Sequence, residues 1–189
     1  MSDKLSEYTI IGAAFNDLDV FVDLFNKNIR LIKNFHFSFA FIIRITVETD
    51  RPEFIKAIER LNVTDEFKQE LYHGGLEMAI VGGKLKYMEE CLKRLKKVDI
   101  DELYIFTSME RNNNNIVQYL LENGYYSNYD EIAQIAAKNG NYDMIKWLFD
   151  KYDKYNFTLY LIESKVLYNN YDEIKQLLAK KFYMYKNER

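Results

Sequence analysis

The sequence predicts an all-α fold, a helical-hairpin solenoid of about six short units joined by short loops. Three aligned columns carry that expectation. Asn16, Asp50, Gly83, Asn112, Gly140 and Asn169 recur at spacings of 34, 33, 29, 28 and 29 residues. Four positions before them stand Gly12, Thr46, Ala79, Ser108, Ala136 and Lys165, five of the six small. Five positions after them stand Phe21, Ile55, Met88, Val117, Ile145 and Ile174, followed three residues later by Leu24, Ile58, Cys91, Leu120, Leu148 and Leu177.

Each column has a physical reading. Gly, Asn and Asp reach the left-handed backbone conformation most readily, and a helix C-terminus that reverses the chain needs it. A small residue in the preceding helix lets a neighbouring helix approach closely. Apolar residues three apart lie on one helix face and form a buried stripe. Lys165 departs from the small column in the last expected unit, where a helix that no following unit covers is expected to tolerate a long polar side chain.

The elements follow in order. The first unit pairs helices over 7–15 and 18–27, with Asp19 in the first turn of the second. The next pairs 38–48 with 52–62, and Pro52 stands at a helix start, where its missing N–H costs little. The third pairs 74–82 with 85–97. Before it runs a connector over 62–73 with room for a short helix at 65–71, and His73 is placed in a Leu-Tyr-His-Gly-Gly loop. The fourth pairs 101–111 with 114–123, the fifth 129–139 with 142–152 and the sixth 158–168 with 171–183. No long Pro/Ser-rich linker interrupts the 189 residues, so a single domain over 1–189 is expected.

Composition narrows the function. Hydrophobic content of 48% and aromatic content of 16%, with one proline, describe a folded chain. A net charge of −3 argues against a nucleic-acid binder, which carries a basic excess. Cys91 is the single cysteine, so no intramolecular disulfide forms and a reducing compartment is expected: the cytoplasm, with the nucleus open. The first residues carry charges and no apolar run of signal-peptide type. Phe35 to Val47 is too short and too polar to span a membrane.

The stretch Ile132-Ala133-Gln134-Ile135-Ala136-Ala137-Lys138-Asn139-Gly140, followed by Met144-Ile145-Lys146-Trp147-Leu148-Phe149, resembles the ankyrin repeat. Paired alanines precede a turn glycine, and a second helix with paired aliphatics follows. Asn114 to Gly124 and Met78 to Gly83 are similar. The family's Thr-Pro-Leu-His opening is absent, and spacings of 28 or 29 fall short of its usual 33 or so. Short loops are therefore expected in place of a β-hairpin row. A tetratricopeptide array fits two spacings but not the small and turn columns. Ile, Lys, Asn and Tyr richness makes the repeats similar to those of large DNA viruses of amoebae, which implies a host cytoplasm.

Candidates for chemistry are few. His36 and His73 fall in different units, and no Cys/His spacing suits zinc. Cys91 sits in the apolar column and reads as a buried thiol. Gly82-Gly83 lacks the Lys-Ser/Thr of a phosphate loop. Lys93-Arg94-Lys96-Lys97 meets the negative end of a helix dipole, with a phosphate patch as the sharper reading. No cofactor, metal or small-molecule substrate is expected.

The resemblance implies a non-catalytic protein-interaction module. It places partner contacts at the residues before each turn: Phe15 (after Ala14), Glu48, Thr49, Val81 (with Gly82), Glu110, Arg111, Lys138 and Asn139. Loop tips add Tyr125, Tyr126 and Tyr129, with Tyr152 and Tyr155, since tyrosine buries much surface while keeping a polar end. An enzyme with an unfamiliar site, an RNA-contacting solenoid and a structural or oligomer-forming part remain as alternatives.

Overall fold

The computed structural model describes residues 9, 12–28, 36–152, 172–173, 176–177 and 179. The described residues form helices and turns, with no strand. Lys165, Asn169 and Ile174 of the sixth expected unit, and Tyr155, lie outside them. The chain divides into two compact units, Met1–Asp99 and Ile100–Arg189.

In the first unit, residues 12–16 are helical. They are followed by α1 (Leu18–Lys27), α2 (His36–Glu48), α3 (Glu53–Glu59), α4 (Asp65–Gly82) and α5 (Leu85–Leu92). Helix α1 starts where Asp17, at φ −151° and ψ 108°, accepts hydrogen bonds from the N–H groups of Asp19 and Val20. It buries Phe21, Val22 and Phe25 and packs on α3, with the Phe21 and Phe54 rings 5.2 Å apart. Helix α4 packs against both α2 and α5. Ile42 and Val47 of α2, Leu76 and Ile80 of α4, and Tyr87 and Met88 of α5 are all buried.

In the second unit come α6 (Glu102–Glu110), α7 (Asn114–Glu122), α8 (Tyr129–Lys138) and α9 (Tyr142–Lys151). Helix α8 packs on α6 and α9. It approaches through Ala133, Ala136 and Ala137, all buried, so its backbone lies close to its neighbours. Side chains such as Ile116, Val117, Leu120, Ile145 and Leu148 complete the core. Full burial of each is worth about 1.5–3 kcal/mol, against about 0–1 for an exposed ion pair, so these stripes hold the helices together.

One device ends four of these helices. Asp50, Gly83, Asn112 and Gly140 have φ of 52°, 70°, 58° and 66°. In each case the N–H of the next residue reaches back to the carbonyl five positions earlier: Arg51 to Thr46 (2.8 Å), Lys84 to Ala79 (2.9 Å), Asn113 to Ser108 (3.0 Å) and Asn141 to Ala136 (2.8 Å). These are Schellman closures, which satisfy carbonyls left over at a helix end. Their acceptors are the small column, and all four side chains are 0% exposed. Nine residues on, Ile55, Met88, Val117 and Ile145 are buried in turn. The same closure ends α7 at Gly124 (φ 72°), where the Tyr125 N–H bonds Leu120 O.

The structure corrects several expectations. Asn16 is helical and not left-handed; its side-chain amide donates to Gly12 O, and the cap Asp17 follows at once in an extended conformation. Leu24 is half-buried where full burial was expected. The connector expected over 62–73 is mostly helix. The short helix and the first helix of the third unit are one 18-residue element, α4, which runs straight through His73, Gly74 and Gly75. Gly75 is explained by close approach: a Cβ there would meet Cys91 Sγ at 3.1 Å and Tyr87 Cε1 at 3.2 Å. Helix α5 stops at Leu92, five residues short of the expected end. No described helix is long and apolar enough to cross a membrane.

Candidate interaction surface

The expected contact residues fall in both units. In the first, Ala14 is buried and Phe15 half-buried, and their carbonyls accept from Arg51 Nη1 at 3.2 and 2.5 Å. Arg51 also pairs with Glu53, so this turn is tied internally. Glu48 is exposed and accepts from Arg44 Nε at 2.8 Å; the exposed Thr49 donates to Ile45 O at 2.7 Å. Val81 is half-buried and Gly82 exposed.

In the second unit the turns after α6 and α8 stand side by side. Asn114 Nδ2 donates to Asn141 Oδ1 at 3.1 Å, and Asn141 Nδ2 returns a bond to Asn114 Oδ1 at 2.7 Å. Asn141 is only 7% exposed, and its Oδ1 also caps α9 by accepting from the Met144 N–H. This reciprocal amide pair brings Glu110, Arg111, Lys138 and Asn139, all exposed, onto one rim.

The tyrosines are elsewhere. They follow α7, so they lie about a helix length, on the order of 13 Å for nine residues, from that rim. Tyr125 is 36% exposed. Tyr126 is half-buried, and its hydroxyl donates to Glu131 at 3.0 Å and lies 3.5 Å from Glu102. Burial first, then the bond to Glu131 and the two carboxylate charges, raise its phenol above the ordinary value. Tyr129 is half-buried with its ring 4.2 Å from that of Tyr152, which meets Trp147 edge-on at 5.6 Å.

The remaining candidates are structurally engaged. The Cys91 thiol is buried, and burial pushes its pKa up, which suppresses the thiolate. The basic run meets carboxylates. Arg94 bonds Glu59 and Glu90, Lys93 bonds Glu90, Lys96 bonds Asp65, and Lys97 lies 3.7 Å from Asp99. The hydrogen bond from Lys93, opposed by burial and aided by Arg94, holds the Glu90 carboxyl below its usual range. His73, on α4, faces Glu77 at 3.2 Å and Asp99 O at 2.9 Å. Among the described residues no three His, Cys, Asp or Glu side chains gather as metal ligands would.

One feature escapes the sequence. Asn112, Asn114, Asn139 and Asn141 line an open groove of about 620 Å³, together with Gly140, Tyr142, Asp143 and Glu173. The run Asn112 to Asn115 signals the turn, but nothing in it announces a partner 27 residues away. No protein-family model matches the chain, nor does any curated protein or solved structure.

Proposed function

We propose that this chain is a non-catalytic protein-interaction module, a solenoid of degenerate ankyrin-like helical hairpins that engages a partner protein through its turns and loop tips. One observation carries the reading: Asp50, Gly83, Asn112 and Gly140 close four helices by the same bonds onto fully buried small residues, at spacings of 33, 29 and 28. Such recurrence is what stacked hairpins require, and a stacked array presents an extended surface. Within that surface the rim of Glu110, Arg111, Lys138 and Asn139 is the most coherent part, because the Asn114–Asn141 pair fixes its two turns together. Its mixed charge suits a polar protein surface. A buried, unactivated Cys91 fits a cytoplasmic setting.

The test is capture from cell extract by the wild-type chain, by Arg111→Ala/Lys138→Ala and by Tyr125→Ala. The rim variant is expected to lose a specific prey while keeping the wild-type melting temperature. An identical prey set on all three proteins would rule out both surfaces.

A further inference from the structure

We propose that the asparagine-lined groove of the second unit receives an extended peptide segment bearing a basic side chain. The inference rests on the reading of the chain as a protein-interaction module and names the chemistry of the segment it holds.

The lining supplies the first argument. A primary amide offers N–H donors beside a carbonyl acceptor, so it can meet both the C=O and the N–H of one peptide group. Asn114 and Asn141 already make such a two-way contact with each other. Asn112 and Asn139 line the same groove, and no side-chain hydrogen bond engages either among the described residues. They are set on rigid supports, one at a left-handed turn position and the other beside one. The groove is open to solvent, which suits a chain passing through it.

Charge supplies the second. Asp143 and Glu173 line the groove, both exposed and neither in an ion pair among the described residues. Among the described residues no lysine or arginine lines it. The charge argument is local to these two carboxylates: Arg111 and Lys138 adjoin the lining asparagines in sequence but do not themselves line the groove. An anionic guest is disfavoured for a further reason. The N-terminus of α9, which would otherwise attract it, is capped by Asn141 and has Asp143 in its first turn.

The experiment is a nuclear magnetic resonance titration of the full-length, nitrogen-15-labelled chain. The probe is acetyl-Ala-Arg-Ala-Arg-Ala-amide; its glutamate counterpart and an uncharged oligosaccharide are controls. The side-chain NH2 signals of Asn112 and Asn139 are expected to shift saturably with the arginine peptide alone. Asp143→Asn/Glu173→Gln should weaken that binding about tenfold, as expected for two partly exposed charge contacts. The proposal is overturned by no saturable shift, by equal shifts from the glutamate peptide, by a response to the oligosaccharide alone, or by full affinity in the double variant. Any of these together with prey capture that depends on Arg111 and Lys138 would remove the groove and leave the interaction module standing. Loss of capture as well would remove both.

Discussion

Thr46 in the first unit and Ser108 in the second hold the same place. Each is four residues before a left-handed turn, each accepts the closing backbone bond, and each is 0% exposed. Their hydroxyls differ. Thr46 Oγ1 donates to Ile43 O at 2.9 Å and lies 2.9 Å from the buried Tyr87 hydroxyl. Ser108 Oγ is buried with no hydrogen-bond partner among the described residues. The shared requirement is therefore size. Polarity is a local addition: it serves the first unit, where α2 meets Tyr87 of α5, and in the second it engages no described residue.

The comparison can be broken at four strengths, each read from chemical or thermal unfolding. Ser108→Leu should cost the most, about 3 kcal/mol, because added methylenes in a closed site displace their neighbours. A loss under about 0.5 kcal/mol would show the position to be roomy and would remove the size argument. Thr46→Val keeps the shape but strands the Tyr87 hydroxyl, at a cost of about 2 kcal/mol. Adding Tyr87→Phe should recover much of it, and no recovery would mean that the hydroxyl pair contributes nothing. Gly140→Val should cost at least about 1 kcal/mol, since a β-branched residue resists a φ of 66°. A wild-type melting temperature would sink the requirement for that conformation. Ser108→Ala should fall within about 0.5 kcal/mol of wild type or gain slightly, because it removes a buried group that bonds nothing. A loss above about 1 kcal/mol would reveal a partner for that hydroxyl.

The turns were legible because positive φ restricts the choice of residue so severely that Asp50, Gly83, Asn112 and Gly140 announce themselves. The same rule misread Asn16, where the extended Asp17 starts α1 directly and no left-handed residue is needed. Gly74-Gly75 looked like a loop for a related reason. A glycine that supplies room and one that supplies a turn are the same letter, and only Tyr87 and Cys91 packed against Gly75 tell them apart. On the surface the sequence named the exposed residues Glu110, Arg111, Lys138 and Asn139 but pooled them with Tyr125, Tyr126 and Tyr129, which the length of α7 keeps away. The Asn114–Asn141 pair was hidden because amide pairing leaves no periodic trace. The partners of the basic run were hidden too, since Glu59 and Asp65 lie far from it in sequence.

Four of the five Schellman turns also set where the chain can change length. From each small residue to the apolar anchor the distance is nine residues: Thr46 to Ile55, Ala79 to Met88, Ser108 to Val117 and Ala136 to Ile145. That count is a phase relation. One residue inserted within it would rotate the following helix by about 100° and carry its apolar stripe out of the core. A residue inserted between the Gly124 closure and the Asn128 cap, at 126–127, can be taken up by the loop, because α8 starts afresh at that cap. Length drift in this chain is thus expected to accumulate between hairpins and to be purged inside them.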